Sequence, residues 1–293
     1  MPRANSPSRP DRVVATFSIA AADPPAGEVG VAVASKFLAV GSVVPWVTAG
    51  VGAVATQAMA NVAYGPRGLG LLAQGVSPES AIEEMTAADA GRDLRQLGMV
   101  DAAGRSATYT GPGCLSWAGG RAGPGYACQG NILAGPQVVD AMAEAFEAAG
   151  GTLAERLMAA LEAGDAAGGD RRGRQSAALY AARPAGGYLG MNDRFIDLRV
   201  DDHEAPIPEL RRILGVHATL YGDAGRGPGL AFDEALMREV GERLRRLGAD
   251  VGPDEAAVRS ALEQFAAREN LESRVRADGR IDPILLEVLR GRS

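Results

Sequence analysis

The stretch VVATFSIAAADPPAGEVGVAVASK, residues 13–36, constrains the fold of this chain more than any other. Two runs rich in small and β-branched residues, 13–22 and 28–36, flank Asp23-Pro24-Pro25-Ala26-Gly27. Proline presets φ and glycine supplies a left-handed position, so the segment between the runs is a turn and the whole is a β-hairpin. Side chains alternate faces along a strand, which puts Thr16, Ser18 and Ala20 on one face. With Ala22 facing Glu28, Thr16 lies opposite Ala34 and Lys36 is its diagonal neighbour. Such neighbours sit roughly 7–8 Å apart, within reach of a long side chain. A slip of one step would carry Lys36 to the other face.

The chain holds 30 lysines and arginines, and Lys36 is the single lysine. Arginine keeps its proton near neutrality, whereas lysine shifts its pKa readily when buried. A hydroxyl beside an ammonium, with only small residues around them, fits an activated nucleophile. A lone lysine is also what an arginine-rich composition leaves by chance.

The run TFSI…GEVGVAVASKF…VVPWV…GVGAVATQ continues through YGPRGLGLL, DLRQLGMVD, CQGNIL and GGDRRGRQSA. Over residues 13–221 this text resembles the DUF1028 family, an uncharacterised branch of the N-terminal nucleophile (Ntn) hydrolase superfamily. The resemblance implies an α+β fold, a four-layer αββα sandwich of antiparallel sheets. It implies a nucleophilic Thr, Ser or Cys as the first residue of the mature chain, with its own α-amine as general base. Thr16 matches that position, and Lys36 becomes the group that tunes the amine. Relatives place the threonine directly after the initiator methionine, whereas here fifteen residues precede it. The alternatives are cleavage between Ala15 and Thr16, a start other than Met1, or a protein that does not use this chemistry.

Taken in order, residues 1–12 (MPRANSPSRPDR) are polar and proline-rich, the composition of a disordered tail, with no apolar core of a signal peptide. The expected location is therefore cytoplasmic. Residues 41–57 read as one or two buried strands ending in Thr56 and Gln57, two candidates to line a site. Gly50–Ala55 fits a degenerate dinucleotide fingerprint but runs on as AVATQ, a strand and not a helix opening. Residues 66–74 and 78–88 are helical, the second with Ser77 as N-cap and Pro78 at the first position. Residues 95–101 and 106–109 make a second hairpin around Ala102-Ala103-Gly104. Residues 111–130 are dense in glycine and read as a long loop. Gly130 lets backbone approach closely, and the Asn131 amide is a candidate oxyanion donor or a turn-satisfying side chain. Helices are expected over 138–149 and 153–162, strands over 177–182 and 194–200, and a helix over 207–221. Between them, Asp170, Arg172 and Arg174 on the glycine-rich segment 168–176 suit a carboxylate or phosphate group, or form a solvated charged turn.

Several classes are excluded. A net charge of −6 argues against a nucleic-acid surface. Cys114 and Cys128 make no disulfide framework and read as buried small residues. His203 and His217 are the only histidines, too few for zinc, and no Gly-x-Ser-x-Gly elbow is present. No apolar run approaches the ~20 residues that span a membrane. No metal or organic cofactor is expected.

Residues 222–229, GDAGRGPG, have a linker's composition. Stripes at Leu236, Val240, Leu244 and Leu247, then Val258, Leu262 and Phe265, then 284–289 describe a small three-helix unit over 230–293. ERLRRLGAD, AVRSALEQFAARENLE and DGRIDPILLEVL resemble a peptidoglycan-binding domain, which implies a peptidoglycan fragment as partner; docking to the first domain or homo-oligomerisation is the alternative. The sequence thus reads as an Ntn-type amidohydrolase of a small-molecule or peptide-like substrate. Thr16, Lys36, Ser35 and Asn131 are the catalytic candidates, and Thr56, Gln57, Asp170, Arg172 and Arg174 the binding candidates. The rival reading is a non-catalytic module binding a small molecule or glycan.

Overall fold

The computed structural model describes residues 16–222 and 228–293. The expected tail, 1–12, and positions 223–227 of the expected linker lie outside the described residues. The chain divides into two compact units, one up to Arg212 and one from Ile213 onward.

The first unit is α+β. Its strands are β1 (Thr16–Asp23), β2 (Glu28–Ser35), β3 (Pro45–Thr48), β4 (Gly52–Ala58), β5 (Arg95–Asp101), β6 (Ser106–Thr110), β7 (Gly119–Gly123), β8 (Tyr126–Asn131), β9 (Ser176–Ala182) and β10 (Arg194–Val200). They form two antiparallel sheets, ordered β10-β9-β2-β1-β8-β7 and β3-β4-β5-β6. Helices α1 (Tyr64–Ala73) and α2 (Pro78–Ala87) cover the smaller sheet, while α3 (Gln137–Ala148) and α4 (Leu153–Ala166) cover the larger. The inner faces meet where β1 lies against β4 and β5, and β8 against β5 and β6.

Period-two alternation sorts the residues. Ala20, Ala22, Val29, Val31 and Val33 pack inward against Val47, Ala53, Ala55 and Val100 of the other sheet. Val54, Leu97 and Met99 point the other way, onto Tyr64, Leu72 and Met85 of α1 and α2. Both faces of β1 and β2 are therefore covered, which is why these strands read as nearly continuous small and apolar runs. Small residues let the layers approach closely: a Cβ on Gly30 of β2 would lie 2.9 Å from Leu157 Cδ1 of α4. Local signals set the helix starts. Ser77 accepts from Ser80 N with Pro78 behind it, and Thr152 accepts from Glu155 N; each cap contributes about 1 kcal/mol.

Two expectations are corrected. The first hairpin closes one residue tighter than the reading from Ala22 facing Glu28: Asp23 pairs with Glu28, and Thr16 with Ser35 instead of Ala34. Pro24–Ala26 form one short 3₁₀ turn that ends on Gly27 at φ +67°, so four residues suffice to reverse the chain. The glycine-rich stretch 111–130 is not a loop throughout; it contains β7 and β8, and β8 is a central strand paired to β1.

The second unit is helical. It comprises the end of α5 (Pro206–Tyr221), then α6 (Glu234–Arg246), α7 (Glu255–Arg268) and α8 (Pro283–Arg292). Each of α6–α8 starts on an aspartate cap, Asp233, Asp254 and Asp282. Val240, Leu244, Val258, Leu262, Phe265, Leu286 and Leu289 form its core, the stripes expected from the sequence. Arg274 is 1% exposed. It donates to the carbonyls of Ala218, Thr219 and Gly222 at the end of α5, and to both oxygens of Asp282. Among the described residues, no helix is long and apolar enough to cross a membrane.

Candidate functional site

Four strand ends of the larger sheet meet in one polar rung. Thr16 opens β1, Ser35 closes β2, Asn131 closes β8 and Ser176 opens β9. The register places them side by side in the order Ser176, Ser35, Thr16, Asn131, and none is more than 2% exposed. Thr16 Oγ1 donates to Ser35 Oγ at 3.2 Å. Ser176 Oγ donates to the Phe37 carbonyl and accepts from Val40 N, which fixes the chain where it leaves β2.

Behind the rung, between the sheets, buried amides form a network. Ser18 Oγ donates to Gln57 Oε1 at 2.6 Å and accepts from Gln129 Nε2 at 2.7 Å. Gln57 Nε2 reaches the carbonyls of Thr16 and Gln129 and, at 2.9 Å, Gln96 Oε1. Gln96 Nε2 is held by the carbonyls of Gly119 and Gly130 and by Thr110 Oγ1. Asn131 Nδ2 donates to Gln96 Oε1 at 2.9 Å. Carbonyls can only accept, so each glutamine amide touching one has its orientation fixed, and the direction of every other bond follows. A buried amide costs free energy unless it is bonded, and this network satisfies the glutamines across both sheets.

The structure brings together Thr16, Ser35, Gln57 and Asn131 of the residues singled out from sequence. It places the others elsewhere. Thr56 lies on the opposite face of β4 from Gln57, and its hydroxyl donates to the Asn61 carbonyl. Lys36 lies just beyond β2, exposed, with Nζ donating to the Arg174 carbonyl at 3.1 Å. The one-step difference in register is what turns it away from the Thr16 face. Asp170, 7% exposed, accepts from Lys36 N at 2.8 Å and takes a two-pronged contact from Arg172, so the pair anchors the loop against the end of β2. Arg174 pairs with Asp165. Lys36, Arg174, Gln175, Asp202, His203 and Glu204 line an open groove of about 330 Å³ beside this anchor. His203 Nδ1 accepts from Ala205 N, so a neutral ring carries its proton on Nε2.

Beyond Thr56, Asp89 ties the loops together. It accepts from Arg95 Nε, Tyr64 Oη, Asn61 Nδ2 and Gly91 N. The Arg95 hydrogen bond holds its carboxyl well below the usual range, although burial pushes the other way. Burial pushes the Cys128 and Cys114 thiols up, as inert small residues require. Among the described residues, no cluster of three or more His, Cys, Asp or Glu side chains could hold a metal ion.

Sequence reasoning missed Ser18, Gln96, Gln129 and Ser176. A signal existed for two of them. Gln96 and Gln129 interrupt the otherwise apolar runs RQLGMVD and ACQGNIL, and glutamine within a covered strand demands partners.

Comparison with known proteins bears on both units. The family model "Family of unknown function (DUF1028)" matches residues 16–210, and the model "Putative peptidoglycan binding domain" matches residues 230–289. Protein SPO2555 from Silicibacter pomeroyi, whose crystal structure carries the same DUF1028 label, is 33% identical, with a TM-score of 0.64 over 70% of this chain and 89% of that one. Comparison with curated proteins gives no match. With the matched text starting at Thr16 and taking in all ten strands described above, the chain belongs to the DUF1028 family.

Proposed function

We propose that the first unit is an Ntn-type hydrolase of an amide or peptide-like bond, with Thr16 as nucleophile at the head of a mature chain. The observation that carries this reading is the Thr16–Ser35 pair: a threonine hydroxyl at the first position of a central strand, bonded to a second hydroxyl at 3.2 Å and backed by a fixed amide network. Two antiparallel sheets face to face, each covered by a helix pair, suit the four-layer αββα arrangement of that superfamily.

In this mechanism the Thr16 hydroxyl adds to the substrate carbonyl and its proton passes to the Thr16 α-amine. The proton then goes to the departing amine as the C–N bond breaks, leaving an ester on Thr16, and water hydrolyses that ester. The experiment is mass spectrometry of the purified chain's N-terminus, followed by an amide and short-peptide panel with wild type and Thr16→Ala. A chain beginning at Thr16, active as wild type and inactive as Thr16→Ala, supports the reading. Wild-type turnover by Thr16→Ala overturns it.

The second reading is a non-catalytic module for a small molecule or glycan. The observations favouring it are the open groove at Lys36 and His203 and the peptidoglycan-binding match of the second unit. For that second unit we propose a peptidoglycan fragment as ligand, tested by pull-down with insoluble peptidoglycan. Retention of the intact chain, lost on deleting residues 230–293, is the expected result.

A further inference from the structure

Asn131 carries an acceptor that nothing uses. Among the described residues, its Oδ1 is the one buried side-chain oxygen or nitrogen without a hydrogen-bond partner, and the residue is 0% exposed. Such a group costs about 1–3 kcal/mol. Turning the amide over does not help. Oδ1 would then face Gln96 Oε1, and Gln96 cannot turn with it because its Nε2 is held by the Gly119 and Gly130 carbonyls.

Asn131 also faces the main chain of Thr16. Ala22 N donates to the Gly125 carbonyl at 2.9 Å, and the pairing of β1 with β8 runs without a shift to Thr16 opposite Asn131. Antiparallel pairs alternate between hydrogen-bonded and non-bonded kinds. Counting from Ala22 in steps of two, Thr16–Asn131 is of the bonded kind, with the Thr16 nitrogen toward the Asn131 carbonyl. On its other side, Thr16–Ser35 is then of the non-bonded kind, in which side chains come closest, consistent with their hydroxyl contact.

We propose that Asn131 is the positioning residue for the α-amine of a chain beginning at Thr16, holding it with its main-chain carbonyl and Oδ1 together. The proposal rests on the reading of Thr16 as the mature N-terminus. A neutral amine has two N–H bonds and one lone pair. Two acceptors from one residue take both N–H bonds, which leaves the lone pair free to turn toward Thr16 Oγ1, where a base is needed. An uncharged amide does this without the strong stabilisation of an ammonium that a carboxylate would give, so the amine stays a usable base near neutrality. Asn131 thus acts through its oxygen, whereas its nitrogen is committed to Gln96.

The test needs no substrate. The N-terminus of the purified chain is read by mass spectrometry. The Thr16 α-amine is then titrated by NMR on protein labelled with ¹⁵N-threonine, in wild type, Asn131→Asp and Asn131→Leu. The expected result is a chain starting at Thr16 whose titration midpoint rises by about one unit or more in Asn131→Asp and falls in Asn131→Leu. Opposite shifts from two substitutions at one site are not what a purely structural residue gives, and if either variant fails to fold the other still decides. A chain starting at Thr16 whose midpoint is the same in the variants overturns the role of Asn131 alone. A chain that retains the residues before Thr16 overturns this role together with the reading beneath it.

Discussion

Gly98 and Gln129 face each other between the sheets, and a Cβ on Gly98 would stand 1.9 Å from Gln129 Oε1. The glycine is therefore the space into which the amide fits. Gly98→Ala should displace Gln129 from Ser18 and cost about 1–3 kcal/mol in overpacking, measurable as a lower Tm and denaturant midpoint. Wild-type stability in Gly98→Ala would show that the amide can sit elsewhere.

Within the rung, the hydroxyls should separate by role. Thr16→Ser keeps a hydroxyl and retains some turnover of any substrate found, whereas Thr16→Ala loses it while keeping the fold. Ser35→Ala removes the partner of Thr16 Oγ1 and should lower kcat by about 2- to 10-fold with KM little changed, the kinetic equivalent of one neutral hydrogen bond. An unaltered kcat in Ser35→Ala would leave the Thr16–Ser35 bond a structural contact only.

Asp89 gives the acid side of the stability profile. Its folded pKa is depressed, chiefly by Arg95. Its contribution is therefore complete above the unfolded value of about 3.9 and disappears as pH falls through the lower folded value. Asp89→Asn should cost about 2–3 kcal/mol at pH 7, since charge-assisted bonds are lost around a partly buried group. The gap from wild type should narrow steadily as pH is lowered below 4. Urea titrations of both proteins at pH 7 and pH 3 check this, and an equal gap at the two pH values would contradict it.

In the helical unit, Arg274 is the residue whose loss should be felt most. Arg274→Met breaks the buried ion pair with Asp282 and takes the guanidinium away from the carbonyls of Ala218, Thr219 and Gly222, and should cost about 3–5 kcal/mol, the loss expected when one partner of a buried ion pair is removed. Arg274→Lys should recover little, because an ammonium lacks the planar fork that reaches both groups. Calorimetry that finds the unfolding profile of Arg274→Met unchanged would refute this.

Much of the fold was legible because its signals are local. The cap at Ser77, the proline-glycine turn after Asp23 and the stripes of α6–α8 depend only on neighbours in sequence. The strands β7 and β8 were not legible, since their glycines lack the β-branched pattern of a strand. They form because those glycines leave room for larger neighbours: the Cβ positions of Gly119, Gly120 and Gly123 are filled by Trp117, Thr108 and Tyr126. Thr16, Ser35 and Asn131 could be picked out one by one by residue type and position. Their alignment in one rung, and the meeting of Gln57 with Gln96 and Gln129, depend on strand order and register, which no short stretch encodes. Lys36 shows the same limit, because a single residue in the turn decided which way it faces.

Two sheets packed through alanine and valine alone have little to stop one from sliding over the other by a pleat, since one small apolar contact replaces another at nearly equal energy. The bonds from Gln57 to the Thr16 carbonyl and from Gln96 to the Gly130 carbonyl cross that plane. A slide of one repeat would strand several amide groups at once, each at about 1–3 kcal/mol. The amides therefore work as a detent that gives the two sheets a single stop, and the rung at Thr16 inherits its alignment from that stop.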